Sequence, residues 1–341
     1  AQQRKDFLKG LSNDINIQVP VFSSLPLINF SFGSNVVSLG QVVSYTSVNI
    51  PSGLAQVPFI GLEKGKELNI SSLEVEHITY LPISYSKGFI LKPGIIPFGQ
   101  KSFAGLRANL LIGLAEVHTE SVRGKLQGTD ANTLIDADIE LGASLPVSID
   151  DSIPKGSFPV GLSFDLGIIT EIDDKLTVGA SIDNIFASFK WSGATIYTAS
   201  VLGELTPEEI AEADSITNLL NQSEVKESSS YKTSLPTSIN ISGTYKAVEW
   251  VTLDANIRID FGKSYWASST PLISLGSEFY PNSKSPFYFG LSFGGENSFG
   301  WGTGMSLNMG SVIFDISGGQ LGGIFNNATG MQLGFGLRIQ K

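Results

Sequence analysis

Apolar and polar side chains alternate along much of the chain. In residues 331–339 every second side chain is apolar, and glutamine, glycine or arginine fills the positions between them. The same alternation runs through residues 135–150, 158–171 and 250–263. A period of two is the pattern of a β-strand with one apolar face, so these stretches predict strands and not helices.

The pattern predicts about fourteen strands in total. Two of them fit between residues 13 and 60, and the other twelve lie near 72–85, 103–123, 135–150, 158–171, 176–191, 234–246, 250–263, 271–280, 287–295, 301–309, 311–317 and 329–340. Short turns such as 173–174 and 281–283 alternate with longer connections such as 192–233. We therefore predict an all-β, antiparallel fold with short turns at one end and long loops at the other.

One short helix is predicted within the longest connection, at residues 206–222. Thr206 can cap the first free amides, Pro207 suits the first helical position, and Glu209 completes a capping box. The helix would lie in a loop outside the strands, where it could cover a pore.

The apolar face of each predicted strand must be covered, because leaving it in water is unfavourable. A second sheet, the packed interior of a soluble barrel, or lipid could cover it. Residues 135–150 and 158–171 exceed the roughly 5–6 residues usual in sandwiches and suit membrane strands of about 9–11 residues with extensions. We predict a single transmembrane β-barrel over residues 13–341, with the polar face inside and the apolar face towards lipid. A soluble sandwich is the alternative.

Composition supports a membrane environment without helical spans. Charged residues make up 16% of the 341 residues, against about 25% in typical soluble domains. No apolar run approaches the ~18 residues of a membrane helix. The net charge of −10 excludes a nucleic-acid partner, because such binders neutralise phosphates with lysine and arginine.

The polar faces of the predicted strands define candidate lumen residues. They are mostly carboxylates with a few basic residues among them: Asp136, Asp138, Glu140, Asp165, Glu171, Lys246, Asp254, Arg258, Asp260 and Arg338. We expect these side chains to pair with one another in an interior that is acidic on balance.

The N-terminal segment, residues 1–12, is set apart from the strands. Basic and apolar side chains occur together in it: Arg4, Lys5, Phe7, Leu8 and Lys9. The segment either enters the acidic lumen as a plug or forms a frayed periplasmic tail.

Sites of chemistry are few. The run GLSFG at 290–294 matches the G-x-S-x-G motif, but Ser292 lies within an alternating strand and no helix pattern follows it. The two histidines, His77 and His118, have nearby glutamates, and we expect solvated polar positions there and not a metal site. We predict no enzyme activity, no cofactor and no metal.

The alternation is interrupted at Asp183 and Asn184. The apolar positions shift by one residue there, from the even set ending at Ile182 to the odd set ending at Trp191. Such a slip requires a β-bulge.

Four stretches resemble a known superfamily. They are LTVGASIDNIFASFKW (176–191), LPTSINISGTYKAVEWVTLDANIRIDF (235–261), PLISLGSEFYPNSKSPFYFGLSFGG (271–295) and GMQLGFGLRI (330–339). They are similar to the fatty-acid-transporter (FadL-like) outer-membrane barrels, which include PorV-like proteins of type IX secretion. The resemblance implies a bacterial outer-membrane location and a lumen partly filled by the N-terminal segment.

Two functions follow from the predicted barrel and this resemblance. The first is passive transport of small hydrophobic or amphiphilic molecules. The second is a non-enzymatic scaffold that binds partner proteins in an envelope or secretion complex. Membrane lipid is an expected partner in both cases.

Overall fold

The computed structural model describes most of the chain. The described residues are 15–23, 29–39, 42–54, 57, 62–130, 132–144, 158–192, 195–206, 220–227, 230–262, 264–296, 298–325, 328 and 330–339. No helix within these ranges is long and apolar enough to cross a membrane. The predicted plug at 1–12 and most of the predicted loop helix, 207–219, lie outside them.

The described chain is all-β, as predicted. Its strands are β1 (Ile15–Ser23), β2 (Asn29–Phe32), β3 (Asn35–Leu39), β4 (Val42–Ile50), β5 (Glu67–Asn69), β6 (Glu74–Ile90), β7 (Lys101–Gly128), β8 (Thr133–Ser144), β9 (Val160–Glu171), β10 (Leu176–Ser192), β11 (Thr195–Leu205), β12 (Leu220–Glu227), β13 (Ser230–Ser234), β14 (Thr237–Val248), β15 (Val251–Phe261), β16 (Leu272–Phe279), β17 (Phe287–Gly294), β18 (Phe299–Asn308), β19 (Val312–Leu321) and β20 (Gly330–Ile339).

All twenty strands belong to one sheet, and the paired strands are antiparallel. The main run is β1–β4–β6–β7–β9–β10, followed by β14 to β20 in sequence order. Short turns join β9 to β10, β14 to β15 and β18 to β19, and we call that edge the turn end and the opposite edge the loop end. Among the described residues β20 pairs with β19, β1 with β4 and β2 with β3, and no pairing joins β20 to β1 or β2. The closed barrel and its strand count therefore remain predictions.

The strand total exceeds the predicted one for three reasons. A short strand that was not predicted, β5, precedes β6. The N-terminal strands are interrupted, so β1 with β2 and β3 with β4 each form one broken run. The connection 192–233 also contains three strands, β11, β12 and β13. Because β12 begins at Leu220, the end of the predicted helix, residues 220–222, is wrong.

Strand β7 has two different neighbours along one of its edges. Its first part, Lys101 to Ile112, pairs with β9, and its second part, Glu116 to Gly128, pairs with β8. Strand β8 pairs onward with β11, and β11 with β12. We call β5, the second part of β7, β8, β11 and β12 the side sheet. Strand β8 therefore does not stand between β7 and β9, because β7 continues past the end of β9 and offers β8 its free edge.

The two faces of the main sheet differ in the way predicted. On the outer face apolar side chains are exposed; Phe335 of β20 is 78% exposed, and Val160 of β9 is 55% exposed. On the inner face polar side chains are buried, among them Ser163 and Asn109. A soluble sandwich would bury its apolar face, so this arrangement is the opposite of a sandwich.

The predicted bulge in β10 is present and is double. Register shifts against β9 occur between Ile182 and Ile185 and again between Ile185 and Ser188. Asn184 and Phe186 both have φ of 59°. Two inserted residues restore the alternation, so Trp191 lies on the inner face; a single slip would have kept it on the outer one.

Candidate functional site

A cavity of about 1400 Å³ lies against the inner face of β7, β9, β10 and β14 to β20. The pairing of adjacent strands shows which of its lining residues share a row. Asn256, Ser274, Ser292 and Gly300 stand opposite one another across four strands. The inward side chains of the wall are mainly hydroxyls and amides, and many positions are glycine. The wall can therefore form hydrogen bonds at many points.

Towards the loop end the interior is filled by side chains. We call this group the inner aromatic cluster; its buried members are Val43, Tyr45, Ile78, Tyr80, Leu111, Ala187, Phe189, Trp191, Leu235 and Tyr265. The ring centroids of Phe189 and Trp191 are 5.6 Å apart, and both side chains have no exposed surface. On β10 the cavity is lined by residues 179–181, so the cluster lies between the cavity and the loop end.

Gly113 on β7 makes room for the cluster. A Cβ atom there would lie 2.7 Å from the Trp191 ring and 2.7 Å from Pro159. The glycine is therefore required for the position of Trp191.

A polar network borders the inner aromatic cluster. The Glu116 side chain is fully buried and accepts hydrogen bonds from His118 Nδ1 at 2.9 Å and from the Tyr231 hydroxyl. His118 Nε2 lies 2.9 Å from Glu120 Oε1. We call these four residues the Glu116 network. The expectation that His118 is solvated is wrong, because its side chain is only 23% exposed.

The hydrogen bond to Glu116 raises the pKa of His118 to about 9, with Glu120 adding to the effect and burial opposing it. His118 lies beyond the exposed apolar band of β7, whose last member is Leu110. A raised pKa in the folded state means that the protonated imidazole stabilises the fold at pH values below its ordinary pKa of about 6.5. This contribution is lost as the pH rises through about 9.

We therefore expect the free energy of unfolding to fall between pH 7 and pH 10, and His118→Gln to remove that part of the fall. Guanidinium unfolding at a series of pH values measures it. If the free energy of unfolding of the variant falls between pH 7 and pH 10 as much as that of the wild type, His118 is not the group responsible.

The predicted lumen residues fall into two groups. In the first, carboxylates on the inner face are paired. Asp165 accepts hydrogen bonds from Asn109 Nδ2 at 2.9 Å and the Asn184 amide at 2.8 Å. Asp260 lies 2.7 Å from Arg258 Nε. Asp254, which lines the cavity, accepts a 2.6 Å hydrogen bond from Thr244.

The second group lies away from the cavity or is not described. Asp136, Asp138 and Glu140 are on the side sheet, where Asp138 accepts a hydrogen bond from Ser200 at 2.7 Å. Glu171 and Lys246 are at the turn end. The side chain of Arg338, and the proposed plug residues Arg4, Lys5, Phe7, Leu8 and Lys9, lie outside the described residues.

Sequence reasoning missed Trp191 and Tyr231 as interior residues and did not assign Glu116 a buried position. The spacing of Glu116, His118 and Glu120 was visible in the sequence, but the fourth member of the network, Tyr231, is 115 residues from Glu116 along the chain. No local pattern indicates such a contact.

The G-x-S-x-G match has no structural support as a nucleophile elbow. Ser292 lies inside β17, paired with Ser274 and Gly300, and the next element is strand β18. In the described part of the chain, no group of three or more His, Cys, Asp or Glu side chains is arranged to hold a metal ion.

These features define a class of protein: an all-β chain whose antiparallel sheet exposes an apolar outer face and carries polar side chains and a cavity on its inner face. The chain belongs to a family of unknown function, DUF5723, whose model matches residues 1–316. No curated protein matches the chain.

Two solved structures illustrate the similarity to known folds. The CymD monoaromatic hydrocarbon channel has a TM-score of 0.43 at 10% identity, over 90% of this chain and 82% of that one. The Pseudomonas putida toluene transporter TodX has a TM-score of 0.35 at 8% identity, over 90% of this chain and 81% of that one. Similarity at this level carries no argument about function, and a PorV-like relationship stays a prediction.

Proposed function

We propose that the protein is a β-barrel of the bacterial outer membrane that passes small hydrophobic or amphiphilic molecules through its interior without energy input. One observation carries this proposal: the sheet exposes its apolar side chains outwards and keeps its polar side chains around a cavity of about 1400 Å³. Lipid is the medium that accepts such an outer face. The inner aromatic cluster is the closed end of the passage, and no catalytic step is involved.

A scaffold that binds envelope proteins is the second candidate function. It is favoured by the filled loop end and by an apolar connection between β6 and β7 at the turn end. Ile90, Ile95 and Phe98 are all exposed there, and Ile90 is 82% exposed. A scaffold needs such a surface and does not need a passage.

Adjacent residues of β16 provide a matched test of the lipid-facing surface. Ile273 is exposed on the outer face, whereas Ser274 lines the cavity. Arginine on the lipid face near the middle of a bilayer costs about 2–4 kcal/mol, whereas a hydrated lumen tolerates it. We expect Ile273→Arg to lower the free energy of unfolding in liposomes by that amount, and Ser274→Arg to change it by less than about 1 kcal/mol.

Reversible guanidinium unfolding in liposomes measures both variants, and cold and boiled gel migration shows whether each one folds. Equal costs at the two positions, or a larger cost at Ser274, would contradict the assignment of the outer face to lipid. Passage itself is tested separately by uptake of small molecules into liposomes that contain the protein; a scaffold predicts none, even after the closed end is opened.

A further inference from the structure

One part of the cavity wall is a row of glycines, where the main chain is exposed without side chains. Gly276, Gly290 and Gly302 stand opposite one another on β16, β17 and β18. All three line the cavity. Neighbouring strands are about 4.8 Å apart, so this glycine row presents roughly 10 Å of main chain without side chains, about the length of a small ring molecule with one substituent.

The fold itself does not require glycine in this row. None of the three residues has a positive φ. A Cβ atom would come no closer than 3.7 Å to its surroundings at Gly276, 3.6 Å at Gly290 and 3.4 Å at Gly302, which are ordinary contacts. Glycine weakens a strand, and within a strand it often marks a place where another molecule approaches the backbone closely.

Polar side chains surround the glycine row. Asn256, Ser274 and Ser292 form the next row on one side. Tyr288 lies on the other side, opposite Gly304. All of these residues except the glycines carry hydrogen-bonding groups that line the cavity. Within the described residues, Asn256 Oδ1 is a buried acceptor without a hydrogen-bond partner.

The glycine row and the polar side chains beside it favour some of the molecules that the proposed passage could take over others. A pure hydrocarbon would cover hydroxyls and amides without replacing their hydrogen bonds, and that is costly. A ring that carries hydroxyl groups can place one face on bare backbone and form hydrogen bonds with the polar side chains beside the glycine row.

Resting on the proposed function, we propose that the cavity binds neutral ring molecules that carry several hydroxyl groups, of the glycoside class. The ring lies on the glycine row, and its hydroxyls bond to Ser274, Ser292 and Asn256. The cargo is then amphiphilic, in contrast to a hydrocarbon.

The test is equilibrium dialysis of the purified full chain in detergent against 4-nitrophenyl β-D-glucopyranoside, read by absorbance, with toluene as the hydrocarbon probe. Gly290→Leu and Gly276→Leu cover the glycine row with a side chain, at positions where the Cβ atom has room. We expect each to weaken glycoside binding by at least about tenfold, which corresponds to about 1.4 kcal/mol. Gly88→Leu is the matched control, because Gly88 lies on β6 outside the cavity lining and its nearest Cβ contact would be 3.8 Å; this variant should bind the glycoside as the wild type does.

Cold and boiled gel migration confirms that each variant is folded before binding is compared. Binding of toluene without binding of the glycoside overturns the cargo class and leaves the proposed passage intact. Glycoside binding that is unchanged in both glycine-row variants also overturns it, because the glycine row would then not be the site. Failure of the Ile273 and Ser274 comparison is a different result, since it removes the passage on which the cargo class rests.

Discussion

Trp191→Ala should open the closed end of the interior and lower the free energy of unfolding by about 3–5 kcal/mol, the range for removing a large buried aromatic side chain. Trp191 has no exposed surface and packs against Phe189 and Tyr231. Its indole N–H also donates a 2.7 Å hydrogen bond to Thr233 on β13, which would be lost. Both losses act on the same contact between β10 and β13.

The opening is measured as the rate at which a small probe enters liposomes that contain the variant. We expect faster entry than with the wild type, because the ring that fills the space between cavity and loop end is gone. Trp250→Ala is the control: this ring is half exposed at the turn end, and its removal should change neither stability by more than about 1 kcal/mol nor the rate of entry. A destabilised Trp191 variant with unchanged entry would show that the inner aromatic cluster is structural and that the passage is closed elsewhere.

Glu116→Ala should lower the free energy of unfolding by about 3–5 kcal/mol, because it removes the fully buried partner of His118 and leaves that imidazole with only the more exposed Glu120. The substitution takes the acceptor away from both His118 and the Tyr231 hydroxyl. Since Tyr231 stands on β13 and Glu116 on β7, the hydrogen bond between them also ties together strands that are distant in sequence.

Glu120→Ala separates this effect from a general loss of charge. Its carboxylate also contacts His118, but the side chain is 44% exposed, so its removal should cost less than about 1 kcal/mol. Guanidinium unfolding at pH 7 measures both variants. Similar costs for the two would mean that the burial of Glu116 does not set the strength of the Glu116 network.

The alternation of the strands was predictable because it depends on nothing beyond the strand itself. In β9 and β20 successive side chains point to opposite faces, so the sequence alone sorts them into two sets. The length and number of the strands then indicated that the apolar set faces lipid, and the low charge content supported this. The exposed side chains of both strands agree with this prediction.

The internal site was less predictable from the sequence. It depends on contacts between strands that are distant in sequence, and the period-two pattern of apolar residues does not reveal those contacts. Trp191 was expected on the outer face, since one bulge in β10 explains the apolar pattern as well as two do. Only the contact of β10 with β9 shows that two residues are inserted. The same holds for β8, whose own pattern is that of any strand in the sheet, while its neighbour is set by the length of β7.

Strand β7 also limits how this family can change in length. Leu114 is an extra residue relative to β6, where Thr79 stands opposite Ala115 and Tyr80 opposite Gly113. One further insertion or deletion between Ile112 and Glu116 would reverse the direction of every later side chain up to the next irregularity, and would turn the Glu116 carboxylate towards the outside. Natural length variation in this strand should therefore occur at the connection from β7 to β8, around residues 129–132. It should be rare between Ile112 and Glu116.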